Sequence, residues 1–253
     1  MSVRTVVRRR LLLGAALGLG ASPLRRPFAQ ARRIKAIALD GFVIIDPRPV
    51  AARAEEFFPG QGARLMEIWR SRQFEYTWLR TLARRYVDFW QVTQEALVFA
   101  ARAAKLDLPA ARRDALLQVF LELNAWPDVA PALRALKGKG LRMAFLANPT
   151  TKMLEAVVRN AGLEGLLEEP LSTDRVQAYK PDPRAYQMGL DAFGLGREEI
   201  AFAASASWDA AGAKAFGYPT IWVNRAGLPV EELGSAPDAI GAGMTDLLKF
   251  TSV

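Results

Sequence analysis

Short apolar runs alternate along this chain with stretches in which apolar residues recur every three or four positions. Ile34–Leu39, Leu141–Leu146, Glu169–Ser172, Ile200–Ala204 and Thr220–Val223 read as short buried strands. The stretches between them carry helix punctuation. Met153–Ala161 stops at Gly162, a second helix opens at Pro183 behind Asp182 and stops near Gly194, and an alanine-rich third runs Trp208–Phe216 to Gly217. This alternation predicts an α/β fold, a parallel sheet covered by helices.

One region breaks the alternation. From about Ala51 to Asn124 no strand is readable, and three helices follow one another. The first sets Leu65, Trp69, Tyr76, Leu79, Ala83 and Tyr86 on one face; the others run near Val92–Ala104 and Ala111–Leu123. A helical insertion after the first strand, with return to the α/β pattern near Pro127, reads either as a cap over the sheet or as a helical subdomain unconnected to any site. The predicted division is residues 32–48 and 124–253 for the core and 49–123 for the insertion.

The first 31 residues stand apart. Val7-Arg8-Arg9-Arg10-Leu11-Leu12, a short apolar stretch and Ala29-Gln30-Ala31 form a basic region, an apolar region and a cleavage site, the layout of a signal peptide. The arginines ahead of a weakly apolar stretch resemble a twin-arginine export signal, which predicts export to the periplasm. The alternative is an uncleaved anchor, although the stretch is shorter than the ~20 residues of a spanning helix. Removing six arginines and no acid takes the formal net charge from +8 to +2. The basic character therefore belongs to targeting, and no nucleic-acid partner is expected. Trp69, Tyr76, Trp78, Tyr86 and Trp90 are read as packing residues, not as base-stacking ones.

The chain contains no cysteine and no histidine, which excludes thiol and imidazole chemistry. Asp40, at the carboxyl end of the first strand, stands where open α/β sheets place their chemistry. It is the leading candidate nucleophile.

Trp69-Arg70-Ser71-Arg72-Gln73-Phe74-Glu75-Tyr76-Thr77-Trp78-Leu79-Arg80, Tyr179-Lys180-Pro181-Asp182 and Trp208-Asp209-Ala210-Ala211-Gly212 closely resemble segments of the type II haloacid dehalogenases, in collinear order over nearly the whole mature chain. The resemblance implies a Rossmann-like core with an inserted helical cap, and hydrolysis of carbon–halogen bonds in short (S)-2-haloacids without a metal or other cofactor. It casts Asp40 as the nucleophile that forms an aspartyl ester, Lys180 as the cation beside it, and Asp209 as the acid that orients the hydrolytic water. Arg70 and Asn148 match the pair that cradles the halide, and Phe42 and Trp208 fall at substrate-facing positions. Phe42 stands where phosphatases of the wider superfamily carry a second Asp, and too few carboxylates remain near Asp209 for a magnesium site. A homodimer is also plausible from the resemblance.

Five substitutions depart from the family's motifs. Val43 and Ile44 replace the Gly and Thr after the nucleophile, Ala147 replaces a serine before Asn148, and Ala204 and Ala206 replace a serine and an asparagine before Asp209. Each lost donor in a dehydrated site removes ~2–4 kcal/mol of transition-state stabilisation, so the expectation is reduced activity. The alternative is a catalytically silent descendant that binds a small carboxylate or a protein partner.

Overall fold

The computed structural model describes residues 34–252; the expected signal segment lies outside them. Six strands form one parallel sheet in the order β3-β2-β1-β4-β5-β6. They are β1 (Ala36–Leu39), β2 (Arg142–Ala147), β3 (Leu171–Ser172), β4 (Ile200–Ala204), β5 (Thr220–Val223) and β6 (Ala239–Gly241). Every residue of β1, β4 and β5 is buried, as expected for a sheet covered on both faces. The register is regular, with Leu39 beside Phe145 on one side and Ala203 on the other. The chain builds outward from β1 through β2 to β3, then crosses back to β4, so the order reverses between β1 and β4. That reversal opens a crevice at the strands' carboxyl ends.

The helices, in chain order, are α1 (Gly41–Ile44), α2 (Arg48–Phe57), α3 (Gly62–Leu82), α4 (Phe89–Ala103), α5 (Ala110–Glu122), α6 (Val129–Gly138), α7 (Thr151–Asn160), α8 (Pro183–Phe193), α9 (Ser207–Phe216) and α10 (Met244–Phe250). α8 and α9 end on left-handed glycines, Gly194 and Gly217, where a side chain would be strained. The third strand is two residues long instead of four, because Glu169 and Pro170 lie outside the ladder. β6 was not foreseen: it is a three-residue edge strand, and its central Ile240 is exposed.

α2 to α5 form the helical insertion. At its base Trp126 N donates to Ile44 O and Asp46 N to Asn124 O, both at 2.9 Å, around an antiparallel bridge between Ile45 and Ala125. The chain thus leaves and re-enters the core at adjacent points. The apolar stripe expected on α3 is corrected. The helix stops at Leu82, Leu79 is exposed, and the buried line is Leu65, Trp69, Gln73 and Thr77. Two of these are polar, and Gln73 is satisfied inside the cap. Its Nε2 donates to Thr93 Oγ1 (2.6 Å), whose hydroxyl donates to Phe89 O (2.6 Å), while Trp69 Nε1 donates to Thr93 O (2.8 Å). A periodicity read on apolar residues alone misses a face completed by hydrogen bonds.

Candidate active site

Four successive loops at the carboxyl edge converge on Asp40. Asp40 itself follows β1 and caps α1, its Oδ2 accepting from Phe42 N at 3.2 Å. Asn148 follows β2; its Oδ1 accepts from Lys180 N at 3.1 Å. Lys180 lies in the loop after β3. Ser205 follows β4, and Asp209 lies in the first turn of α9.

The centre of the site is a buried ion triad. Lys180 Nζ stands 2.6 Å from Asp40 Oδ1 and 2.6 Å from Asp209 Oδ2. Burial works to lower the Lys180 pKa, but the attraction of Asp209 and Asp40 outweighs it, so the ammonium is held above its ordinary value. Burial pushes Asp209 up to about 6, with Lys180 pulling it down and the charge of Asp40 adding to the rise. The second Asp209 oxygen accepts from Tyr186 OH at 2.7 Å, a phenol that burial and the neighbouring Asp209 hold well above its usual pKa. Gly212 makes this approach possible. A Cβ there would stand 2.6 Å from Tyr186 Oη and 2.7 Å from Pro181 Cβ.

The two carboxylates differ in reach. Both oxygens of each are engaged and both residues line a pocket, but Asp209 is 1% exposed and Asp40 7%. The cavity is about 10 Å³, roughly the space of a single water. Its apolar wall comes from Phe42, Phe74, Phe89, Pro149 and Trp208, and its polar groups from Asp40, Asn148, Ser205 and Asp209. Phe74 and Phe89 come from α3 and α4, so the insertion closes over the site. Phe74 packs edge-on against Trp208, with ring centres 5.4 Å apart.

Of the residues singled out in the sequence, Asp40, Lys180 and Asp209 meet directly, and Phe42, Asn148 and Trp208 line the same pocket. Arg70 does not reach it. α3 turns Phe74 inward and leaves Arg70, one turn earlier, exposed, with its guanidinium 5.9 Å from the Phe74 ring centre. Among the described residues, no cluster of three or more Asp or Glu side chains is placed to hold a metal ion.

Local geometry accommodates part of the motif departures. Residues 41–44 form a helical turn, with Val43 and Ile44 fully buried. No positive φ is needed there, so the β-branched pair is accommodated. The carboxylate also keeps a hydroxyl partner: Ser205 Oγ donates to Asp40 Oδ2 at 2.5 Å, and the Ser205 carbonyl accepts from Trp222 Nε1 at 3.2 Å. Ser205 was missed because the motif comparison weighed its altered neighbours. Its position immediately after β4, facing Asp40 across the switch point, was the available signal.

Residues 3–217 match the family model described as a haloacid dehalogenase-like hydrolase. The (S)-2-haloacid dehalogenase of Pseudomonas sp. (strain YL) is 45% identical over 206 residues, covering 81% of this chain and 89% of the relative. The chain belongs to the haloacid dehalogenase-like hydrolase family. Within this hydrolase family, a crystal structure of an L-2-haloacid dehalogenase superposes with a TM-score of 0.85 at 41% identity, covering 87% of this chain and 99% of that one. A second structure, an L-2-haloacid dehalogenase from Xanthobacter autotrophicus with chloropropionic acid covalently bound, superposes at 0.79 with 30% identity, covering 87% and 98%. The hydrolase fold and its helical cap are common to this chain and these neighbours.

Proposed function

We propose that this hydrolase displaces halide from short (S)-2-haloacids through an ester on Asp40. The observation that carries this reading is the asymmetry of the carboxylates: Asp40 is the more exposed, with an ammonium behind it, while Asp209 is almost completely buried. A carboxylate oxygen of Asp40 attacks C2 from the side opposite the halogen. The new C–O bond forms as the C–halogen bond breaks, and the halide leaves with its electron pair. Water then adds to the Asp40 carbonyl carbon and gives a proton to Asp209. The intermediate collapses, the 2-hydroxyacid oxygen leaves and takes that proton, and Asp40, now carrying one oxygen from water, returns to the carboxylate by releasing the second water proton to solvent. The apolar wall suits the reacting carbon and halogen, and dehydration there strengthens the electrostatics around Asp40. Asn148 and a re-aimed Arg70 are the proposed donors to the departing halide. The test is halide release from (S)-2-chloropropionate by the mature protein, with no release above an Asp40→Asn control as the overturning result.

A second reading, a catalytically silent protein that binds small carboxylates, is favoured by Ala206 in the pocket wall, where no side-chain donor remains. It predicts saturable binding of propionate without turnover. Between the two stands a slowed enzyme, to which the Ala147, Ala204 and Ala206 substitutions also point.

Asp209 stands at about 6 in the resting site, raised by burial and by the charge of Asp40. Ester formation removes the Asp40 charge, so the acid limb of kcat is expected below pH 6; under it the Asp209 carboxyl is protonated, cannot accept the water's proton, and the ester accumulates. Halide-release kinetics across the acid and neutral range should show kcat falling about tenfold per unit below that limb, with no limb left in Asp209→Asn. Ser205→Ala leaves Asp40 Oδ2 with the Phe42 amide alone, and kcat is expected to drop about tenfold through loss of aim with little change in Tm.

The residues before Ala31 are proposed to be an export signal, read by the twin-arginine machinery and removed in the periplasm. Amino-terminal sequencing of secreted protein checks this. Homodimerisation is proposed from family likeness alone, and analytical ultracentrifugation of the mature protein decides it.

A further inference from the structure

The loop that carries Lys180 is bonded to the cap through the residue immediately before it. Tyr179 is 1% exposed. Its backbone N–H donates to Thr81 Oγ1 (3.1 Å) at the end of α3, and its hydroxyl donates to Val87 O (2.7 Å) in the α3–α4 turn. Its ring lies against Tyr86, with centres 4.8 Å apart, and 6.3 Å from Phe89, which lines the pocket. A separate tie joins the same turn to the same loop further from the lysine: Tyr86 OH donates to Asp174 Oδ1 at 2.5 Å. Both segments carry a non-glycine residue at positive φ, Arg84 at 53° and Gln177 at 49°. Such conformations cost energy and persist where surrounding contacts over-determine them.

On the other side of the peptide, Lys180 N donates to Asn148 Oδ1 and Lys180 Nζ reaches both carboxylates. Two adjacent residues therefore face opposite ways, one clasped by the cap and one placed in the triad. We infer that Tyr179 is a positioning residue that couples seating of the cap to the placement of Lys180 between Asp40 and Asp209. The side chains that close the pocket, Phe74 and Phe89, ride on the same cap. Closing the pocket and fixing the lysine then become one event, so the nucleophile is fully set only beneath a seated cap.

This inference rests on the proposed reaction, and its test separates the two. The groups facing Asp209 are Lys180, Asp40 and Tyr186, so loosening Lys180 weakens the one cation that holds Asp209 down. Tyr179→Phe removes the hydroxyl bond to Val87 and the hydroxyl's interaction with Tyr86, and leaves the ring and the backbone bond to Thr81 in place. The expected result is a kcat reduced about tenfold with KM changed less than threefold, and an acid limb moved upward by half a pH unit or more. Tyr86→Phe, which breaks the tie to Asp174, should leave the limb in place. An unmoved limb in Tyr179→Phe, or an equal shift in Tyr86→Phe, overturns the inference. Carboxyl NMR of protein labelled at aspartate reads the same Asp209 titration without turnover. If the wild type releases no halide, the reaction reading fails while the NMR comparison still decides the coupling.

Discussion

Asp40→Asn is expected to abolish halide release, lowering kcat by about 10⁴-fold or more, the scale seen when a covalent nucleophile is removed. The substitution keeps the shape of the side chain and its capping position ahead of α1, so the fold should persist. It removes the more exposed of the two carboxylates that line the pocket. The alternative chemistry, in which Asp209 activates water for direct attack on C2, makes a contrary prediction: the variant would keep a substantial part of its rate. A single turnover of wild type in ¹⁸O-water adds an independent check. Mass spectrometry should find the label in Asp40 first, and in the 2-hydroxyacid only after a further turnover. Label appearing directly in the product would sink the ester mechanism.

The largest combined effect on stability and activity is expected from Lys180→Met. A methionine fills comparable volume but leaves two buried carboxylates 1% and 7% exposed without their shared cation. Removing one partner of a buried ion pair costs about 3–5 kcal/mol. At ~2–4 °C per kcal/mol for a chain of this size, Tm at pH 7 should fall by roughly 6–20 °C, with turnover lost. The sign of the pH dependence is fixed by linkage. In wild type the proton affinity of Lys180 is raised on folding, so its contribution is present throughout the acidic and neutral range and lost only at alkaline pH. In the variant only the Tyr186 hydroxyl still pulls Asp209 down, and its pKa rises beyond the present value of about 6. It therefore takes up a proton readily as pH falls, and the destabilisation should shrink between pH 8 and pH 5. Thermal melts at the two pH values check this; an equal deficit at both would show that the lost charge is not the cause.

The parts of the molecule legible in the sequence are those where one physical signal dominates. β1, β4 and β5 are buried on both faces, so continuous apolar runs marked them to within two residues. α8 and α9 were bounded by the left-handed glycines that end them. β6 escaped because a three-residue edge strand of Ala239, Ile240 and Gly241, none of them buried, has no periodicity to read. The face of α3 escaped because Gln73 and Thr77 are buried polar residues whose partners come from other turns and helices. Asp40 was legible from its place at the end of the first strand, and Lys180 and Asp209 from family likeness; their contact through one ammonium could not be counted from spacing, since 140 residues separate Asp40 from Lys180. The same limit hid Ser205 and Tyr179, whose roles arise from bonds to residues 165 and 92 positions away.

The triad of two carboxylates and one ammonium also bears on how products leave. With both acids ionised it carries one net negative charge, in a site too dry for water to screen it well. Ester formation removes the charge of Asp40 and leaves Lys180 and Asp209 as a neutral pair, beside which a halide can linger. Hydrolysis restores the carboxylate and, with it, repulsion toward both anions at the moment they must depart. The catalytic cycle thus clears its own site electrostatically, and chloride should be a poor inhibitor of the resting enzyme.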